Sequence, residues 1–460
     1  MILNTALLQR GAKAWNTRMG LFTPHSFLFA ILLTFVAYIL SIFGAYQGPF
    51  DMIQFWVNGF WSLLAPSMQM MLMVVAGFSV GSSPIGQKIF GFLASIPKTP
   101  RQGVILLITL ITAFSWIHWG IGIVTGAFLA REMGRRMARV DYPQLVACAY
   151  IGMCTGTFGA LSIDPGAYGK AGYILERGLG VLPVTQSSFS PLPLIGFGLG
   201  ILAVIFLMGF ICPEEGMAVP PEPSLLRRFR DEDHTEIESL DAAQEIHRGN
   251  RIPFGLWLEN SRWPMWLIFI MGFSYIVYWF YSQGLNLNMN IFNFLLICLA
   301  LPFYDTPMRF LKSMERSNRA FYGILIQFPF YAGIQGMLLS SGMAPILFER
   351  ITSGATATTY LFWVYVDGVL INFFVPMAGG IWEIHNSLVA QKGAELGIGI
   401  SRALHAFNAG GAIGNVIQPF WAIPVLGICG LSLRDIMGYC FMAFLALSFI
   451  WVLLLFFMPL

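Results

Sequence analysis

The stretch INFFVPMAGGIWEIHNS, residues 371–387, decides the fold of this chain, because it puts helix-breaking residues inside an apolar region. Pro376 lacks a backbone donor, and Gly379 and Gly380 weaken a helix on either side of a turn. In hydrocarbon, broken helices leave backbone groups without partners, so irregular backbone occurs only where it is buried in protein or lines a cavity. The stretch therefore predicts a turn that forms one half of a binding site.

The composition predicts a polytopic membrane protein. The chain has 460 residues, of which 57% are apolar and 11% are charged, and its mean hydropathy is +0.69. Soluble domains carry about 25% charged residues. The net charge of +3 is too small to indicate a nucleic-acid partner. The six cysteines lie in or beside apolar segments without CxxC or Cys/His spacing, so we expect neither a metal site nor a disulfide framework.

Nine apolar segments approach the roughly 20 residues that a spanning helix needs. They are residues 25–46, 55–80, 142–163, 191–212, 263–282, 286–303, 320–341, 400–430 and 436–459. The basic residues 1–24 precede the first span without a cleavage-like motif, so we expect them to be a cytoplasmic tail. Residues 213–262 hold 11 acidic and 6 basic residues, which predicts a solvated acidic loop.

Two further apolar stretches favour re-entrant hairpins over simple spans. Residues 100–139 carry basic residues at both ends, and arms of about 15 residues rise only about 22 Å against a core of roughly 30 Å. We place the tip of this hairpin at SWIHWG, residues 115–120. The second hairpin covers about 355–395, and its tip is the opening stretch.

The basic residues predict the orientation. With the N-terminus inside and both hairpins re-entrant, 15 Lys and Arg residues outside the central loop fall on the inner face and five on the outer face. This asymmetry follows the positive-inside rule. We therefore expect a multi-pass protein with a cytoplasmic N-terminus in a bacterial inner membrane.

The chain also contains an internal repeat. Residues 59–85 match 320–346 at Phe60/Phe321, Gly81/Gly342 and Pro84/Pro345, always at a separation of 261 residues. The same separation carries the first tip onto the second. Each unit, 25–212 and 283–460, then contains a hairpin and a broken helix. Because 263–282 adds a linking span, the units have opposite orientation, as in secondary transporters. The predicted fold is an all-α inverted repeat with two re-entrant hairpins and two broken transmembrane helices.

Helix breaks at the midplane offer N–H groups and dipole ends to anions and carbonyls to cations. Buried ionisable groups there are candidates for function. The predicted substrate- or ion-binding residues are His118, Trp119, Gly120, Thr155, Thr157, Asn372, Pro376, Gly379, Gly380, Glu383, Asn415 and Gln418. Asp367, His385 and His405 are weaker candidates, because structural hydrogen bonds would also explain them.

Neither tip carries Lys or Arg, which favours a weakly held monocarboxylate over phosphates or polyanions. We expect no cofactor. The anion still needs a compensating charge at the midplane, which H⁺ or Na⁺ can supply. We slightly favour H⁺, carried by His118 with Glu383 as a second acceptor, since histidine titrates near neutral pH.

Eight segments together resemble the short-chain fatty acid transporter family, the permeases associated with acetoacetate and butyrate use in bacteria. They are GFWSLLAPSMQMMLMVVAG, TPRQGV, WGIGIVTGAFLARE, DYPQLVACAYIG, IQFPFYAGIQGM, INFFVPMAGGIW, QPFWAIP and RDIMGYC. The resemblance implies an elevator-like movement and commonly a homodimer. It departs at the tips, where the family pattern is close to INWG and VPSGGGHW and this chain has His118, Met377 and Ile381.

Three other readings are weighed against a monocarboxylate transporter. The chain could carry another small organic anion, or it could be a degenerate, non-transporting receptor or scaffold, which the altered tips would fit. An intramembrane enzyme is disfavoured, because no HExxH, GxSxG or Ser/His/Asp arrangement occurs at spanning depth.

Overall fold

The computed structural model describes residues 5–137, 139–157, 185–186, 188–213, 216–230, 254–284, 287–304, 306–376 and 380–458. For residues 380–384 it describes the helical backbone alone. Every regular element in these ranges is an α-helix. Seven of the described helices are long and apolar enough to cross a membrane. The chain is thus an all-α multi-pass membrane protein, as the sequence predicted.

Within the described residues, the two units of the predicted repeat contain similar successions of helices, except that Ala422–Cys429 has no described counterpart in the first unit. The first unit comprises Ser26–Gly44, Pro49–Phe60, Leu64–Ser82, Pro84–Ser95, Pro100–Ile117, Trp119–Arg136, Tyr142–Gly156 and Pro191–Phe210. The second comprises Met289–Phe303, Pro307–Arg316, Asn318–Ser340, Met343–Thr352, Tyr360–Phe374, Gly380–Glu395, Ile400–Gly414, Ala422–Cys429 and Leu433–Phe457. Helix Trp263–Gln283 lies between the units, and Thr5–Phe22 and Phe254–Glu259 complete the set of described helices that we name.

Equivalent helices of the two units make equivalent contacts with the other unit. The first span of each unit packs on the long helix of the other, Ser26–Gly44 on Asn318–Ser340 and Met289–Phe303 on Leu64–Ser82. Gln327 donates to the Ser26 hydroxyl at 3.1 Å, and Asn293 donates to the Gln69 carbonyl at 2.7 Å. Such reciprocal packing is what a two-fold relation between repeats produces.

The first hairpin turns at the predicted tip. Thr99 caps the N-terminus of its first arm with Pro100 in the first turn, which suits a residue without an N–H. The arm ends at Ile117, His118 is extended, and the second arm begins at Trp119. A Cβ at Gly103 would lie 3.2 Å from the Met137 sulfur, so the open ends of the two arms lie side by side.

The arms are longer than the predicted 15 residues or so. Each has 18 residues, because the helices continue through the polar segments at Pro100 and Arg136. We call this end, opposite the tip, the mouth of the hairpin.

The second hairpin has the same form. Its first arm begins at Tyr360 rather than near 355, because the hydroxyls of Thr356 and Thr359 close a turn before it. The Tyr360 hydroxyl donates to the Val389 carbonyl at 2.6 Å, which joins the two arms.

The structure corrects one predicted span and bears on two others. Residues 55–80 are not one helix: Pro49–Phe60 ends and Leu64–Ser82 begins, because Pro66 fits only the first turn of a helix. The segment 400–430 is broken between Gly414 and Ala422, as predicted. The predicted span 142–163 is helical to Gly156, and its remainder from residue 158 lies outside the described residues.

Residues of the predicted N-terminal tail and of the predicted central loop pack onto the helices. Helix Thr5–Phe22 lies against the last helix, where the Asn16 amide donates to the Asp435 carbonyl at 2.8 Å. In the central loop, Phe229 is fully buried at the mouth of the first hairpin. Its carbonyl accepts from Arg131 at 3.3 Å, and its ring centroid lies 4.2 Å from the Arg131 guanidinium.

One predicted inner residue, Arg434, and one predicted outer residue, Arg402, lie at opposite ends of the last helix. The last helix, Leu433–Phe457, connects these ends. At its start Arg434 donates to the Thr23 carbonyl, and at its end the Met458 carbonyl accepts from Arg402, each at 3.0 Å. The orientation of these ends in a membrane stays a prediction.

Glycines let the second hairpin press onto the second broken helix. A Cβ at Gly410 would overlap the Tyr365 carbonyl oxygen, and one at Gly368 would overlap the Phe407 carbonyl oxygen. Small residues permit such close backbone contact between membrane helices.

We therefore expect Gly410→Ala to lower the free energy of unfolding by about 1–3 kcal/mol, because the methyl group meets backbone that cannot rotate away. Gly198→Ala is the matched control, since nothing lies within 4 Å of a Cβ at that helical glycine. Thermal unfolding in detergent measures both. Equal melting temperatures for the two variants would contradict the close packing.

Candidate functional site

Trp421 joins the two hairpin tips. Its indole Nε1 donates to the Pro376 carbonyl of the second tip at 2.6 Å. Its ring meets the Trp119 ring of the first tip edge to face, with the centroids 5.0 Å apart. Trp421 is also the last residue of the break between helices Ile400–Gly414 and Ala422–Cys429. The two tips and one broken helix thus converge, as the repeat predicted.

At the first tip, His118 caps the second arm of the hairpin. Its Nδ1 accepts the Gly120 N–H at 3.1 Å, which satisfies one of the unpaired donors at the start of that helix. A ring nitrogen that accepts carries no proton, so the proton of the neutral imidazole is on Nε2. The side chain is only 2% exposed. His118 is therefore a neutral ring with one N–H left to donate.

Apolar side chains enclose this tip. The Phe292 ring stacks on His118 with the centroids 3.9 Å apart. A Cβ at Gly120 would overlap the Met73 sulfur and lie 2.7 Å from Phe292. Only glycine allows the backbone to approach these neighbours so closely at this position.

At the second break, side chains take the place of missing helical hydrogen bonds. The Tyr150 hydroxyl, from the first broken helix, contacts the Asn415 carbonyl and donates to the Gln418 carbonyl at 2.8 Å. The Gln418 amide oxygen accepts the Phe420 N–H at 2.7 Å, and its nitrogen donates to the Tyr331 hydroxyl at 3.0 Å.

Asn372 also belongs to this site. Its amide nitrogen donates to the side-chain oxygen of Asn415 at 2.8 Å, so the second hairpin is tied to the broken helix just below its tip. Both side chains are amides, which can offer donors as well as acceptors to a ligand.

Thr155 and Thr157 lie close to the first tip, but their hydroxyls are used locally. Thr155 donates to the Ile151 carbonyl at 2.8 Å and Thr157 to the Cys154 carbonyl at 2.6 Å. A Cβ at Gly156 would lie 2.5 Å from Thr112 and Ser115 atoms, which places this helix end against the first arm.

Three predicted residues are described only in part or not at all. Gly379 lies outside the described residues. Gly380 begins the second arm of its hairpin. Glu383 lies in the same arm, and its side chain is outside the described part of the chain. Whether they contact the other tip therefore stays a prediction.

The weaker candidates lie deeper in the second hairpin. Asp367 and His385 are fully buried, with their nearest side-chain atoms 3.4 Å apart. His405 is also buried and lies in the second broken helix. Asp367 and His385 take no part in the hydrogen bonds described above around Trp421, so they form a separate pair of ionisable residues.

The arrangement has little fixed charge. Within the described residues, neither tip brings a Lys or Arg side chain to Trp421, and no three His, Cys, Asp or Glu side chains are grouped for a metal ion. The donors available to a ligand are neutral: imidazole and amide N–H groups, and a helix N-terminus. Such a site suits a small anion that is bound and released readily.

The sequence analysis missed Trp421, Tyr150, Tyr331 and Phe292. Trp421 could have been found, because it directly follows the predicted break. Tyr150 and Tyr331 occupy apolar helices, where the only signal is that a buried hydroxyl needs a partner. Nothing in the sequence shows which partner each one has.

Comparison with known proteins identifies relatives along nearly the whole chain. A family model described as "Short chain fatty acid transporter" matches residues 7–458. A protein of Escherichia coli strain K12 is 35% identical over 435 residues, which cover 94% of this chain and 95% of the relative. A protein of Haemophilus influenzae strain Rd is 32% identical over 466 residues, which cover 98% of this chain and 100% of the relative. Both carry the name "Putative short-chain fatty acid transporter".

Among solved structures, the Alcanivorax borkumensis YdaH transporter, described as having an unusual topology, is similar with a TM-score of 0.45. It is 14% identical, and the match covers 94% of this chain and 98% of that one.

We expect Tyr150→Phe to destabilise the protein by about 1–3 kcal/mol, because it leaves the buried Gln418 carbonyl at the break without the Tyr150 donor. Tyr365→Phe is the control: the Tyr365 hydroxyl donates at 2.8 Å to the Ser448 hydroxyl, which is free to rotate to another partner. Thermal unfolding in detergent compares the two variants. A control loss as large as the Tyr150→Phe loss would show that the break does not depend on Tyr150.

Proposed function

This chain belongs to the short-chain fatty acid transporter family, and we propose that it is a secondary active transporter of small monocarboxylates such as acetoacetate and butyrate. The observation that carries the proposal is the meeting of both hairpin tips and the second break at Trp421. Discontinuous helices that converge between inverted repeats are where secondary transporters bind their substrates.

The chemistry of the first tip supports a monocarboxylate. The His118 Nε2–H and the positive end of the second arm would hold the carboxylate. The Phe292 and Trp421 rings with Met73 would contact the short acyl chain. Because no lysine or arginine reaches the tips in the described residues, a phosphate or a dicarboxylate would leave excess negative charge uncompensated at the midplane.

Helix packing supports an elevator-like movement. Each hairpin packs on a broken helix, and together they form a body that contacts the long helices Leu64–Ser82 and Asn318–Ser340. Along one of these contacts, Gly77 faces Val124 and Gly81 faces Phe128 so closely that a Cβ would overlap either side chain. We propose that this smooth boundary is where the substrate-carrying body moves.

We propose H⁺ rather than Na⁺ as the coupling ion. The carbonyls of Asn415, Gln418 and Pro376, which the helix breaks would offer to sodium, already accept hydrogen bonds from Tyr150 and Trp421. His118 is a poor carrier of the proton, however. A proton on its Nδ1 would displace the Gly120 N–H from its cap. The geometry thus favours His118 as a hydrogen-bond donor to the substrate. Another group must then carry the coupling proton.

The location follows the same reasoning. We propose a bacterial inner membrane with the N-terminus, the mouth of the first hairpin and the central loop in the cytoplasm, where the basic residues collect. A homodimer stays a prediction. A carrier of another small organic anion remains the second candidate, since the neutral donors at the tip do not fix the length or polarity of the chain.

Uptake of radiolabelled butyrate and acetoacetate into proteoliposomes tests the function. Protein-free vesicles give the baseline, because the neutral acids cross lipid unaided. Uptake above this baseline that unlabelled monocarboxylates inhibit and phosphate does not is the expected result. Inhibition by other organic anions alone would favour the second candidate. No uptake of any anion would favour a receptor or scaffold.

We expect His118→Leu to reduce uptake about 10- to 100-fold, because a hydrogen bond to a charged group contributes about 1.5–3 kcal/mol. His118→Asn keeps an acceptor for the Gly120 N–H and an amide donor, so it should fold normally and transport with an altered KM. Both are measured as initial rates of uptake. A His118→Asn protein that transports but ignores an imposed pH gradient would show that His118 carries the proton after all.

Single cysteines test the orientation. We expect Arg101→Cys and Arg136→Cys to react with an impermeant maleimide from the cytoplasmic side, and Arg350→Cys to react from the outer side; all three positions are exposed. The six native cysteines are buried and give little background. Labelling of the first two positions from opposite sides would refute the hairpin.

A further inference from the structure

The second hairpin contains a buried acid–base pair. Asp367 comes from the first arm and His385 from the second, and the distance from Asp367 Oδ2 to His385 Nε2 is 3.4 Å. Both side chains are 0% exposed. Neither takes part in the hydrogen bonds that hold the tips at Trp421.

Apart from each other, Asp367 and His385 have no polar partner close by among the described residues. Among the described residues, neither Asp367 oxygen and neither His385 nitrogen has a hydrogen-bond partner of good geometry. The imidazole stacks on Phe407, with the centroids 5.5 Å apart, and the edge of Phe348 meets it at 6.0 Å. Polar groups buried in this way depend on each other for electrostatic stabilisation.

These surroundings restrict the number of protons on the pair. With one titratable proton the pair is neutral overall, whether the proton is on the carboxyl or the imidazole. With none it carries an uncompensated negative charge, and with two an uncompensated positive charge, and either costs several kcal/mol in apolar surroundings. The neutral state of the buried pair is therefore the one with a single proton.

The fold itself does not require this pair. At the repeat separation of 261 residues, the positions that correspond to Asp367 and His385 in the first hairpin are Leu106 and Val124. The first hairpin builds equivalent arms with these apolar residues. A polar pair in only one of two equivalent hairpins points to a task beyond holding the arms together.

Other titratable groups lie on each element packed against the pair. The hairpin arms contribute Tyr360, Lys392 and Glu395, helix Met343–Thr352 contributes Glu349, and the second broken helix contributes His405. Glu383 lies in the second arm, with its side chain outside the described residues. Tyr360 is within electrostatic reach of Asp367, Glu349 and Glu395.

A single aromatic ring separates the pair from charged groups near the surface. Phe348 meets His385 on one side, and the Lys392 ammonium lies 5.7 Å from the centroid of the same ring. Lys392 pairs with Glu349 at 3.2 Å, and the Glu349 side chain is 62% exposed. Displacement of Phe348 with its helix would open the pair to water at the end of the molecule that we place outside.

We propose that Asp367 and His385 are the proton-binding site of this transporter. The pair takes up one proton on the outer side together with the anion, releases it on the inner side when the anion leaves, and returns without it, so that one proton crosses with each monocarboxylate anion and the net transfer is neutral. The inference rests on the proposed function, since it names the group that carries the coupling ion of that transporter.

The test is Asp367→Asn, a substitution of nearly the same shape that cannot exchange a proton. In proteoliposomes, a gradient of about one pH unit should let the wild-type protein accumulate labelled acetoacetate about tenfold, since one unit corresponds to 1.36 kcal/mol per proton. Asp367→Asn should abolish accumulation above the protein-free baseline. It should retain exchange of labelled for unlabelled acetoacetate, because exchange needs no net movement of protons. A merely structural role would diminish both together.

His385→Gln provides a second test in case the first variant does not fold, and it too should lose accumulation and retain exchange. Arg136→Gln is the matched control, since it breaks an exposed ion pair of the first hairpin and should change neither measurement. If both pair variants accumulate substrate normally, or lose exchange to the same extent as accumulation, the inference is wrong and the transport proposal stands. If the wild-type protein neither exchanges nor accumulates any monocarboxylate, the proposed function fails and the inference fails with it.

Discussion

The need to satisfy backbone hydrogen-bonding groups in an apolar environment governs this structure. Unpaired N–H or C=O groups in hydrocarbon cost several kcal/mol each, so every helix break must be supplied with partners from elsewhere in the fold. Here the partners are side chains: His118 for one N–H, Tyr150 for the carbonyls of the second break, and Trp421 for the carbonyl of Pro376. The site exists because these side chains come from three different segments.

The same requirement bears on how the hairpin tips could bind a ligand. A tip that is held only by neutral hydrogen bonds and ring contacts can exchange them for contacts with a ligand at small net cost. Strong ion pairs at the tips would make that exchange expensive. The protein keeps its exposed charge pairs at the hairpin ends instead, as with Lys392 and Glu349.

Local signals in the sequence predicted the framework well. The first tip was located correctly because an apolar run with basic residues at both ends has few topological solutions. The repeat was evident because Gly81 and Pro84 recur as Gly342 and Pro345 where each long helix ends. Long-range partners could not be predicted. Tyr150 and Gln418 are 268 residues apart, and their meeting depends on how two broken helices are placed against each other. The break before Leu64 was missed because hydropathy is continuous across it.

The docking of the first helix against the last has a consequence for biogenesis. Asn16 bonds to Asp435 and Tyr439, which follow it by 419 and 423 residues. At roughly 5–20 residues per second, a ribosome needs roughly 20 to 80 seconds to synthesise the chain between them. Throughout that time helix Thr5–Phe22 lacks the helix on which it packs. It can dock only after Leu433–Phe457 has been synthesised. Chains that terminate before Leu433–Phe457 lack this contact and leave the apolar face of the N-terminal helix without its partner.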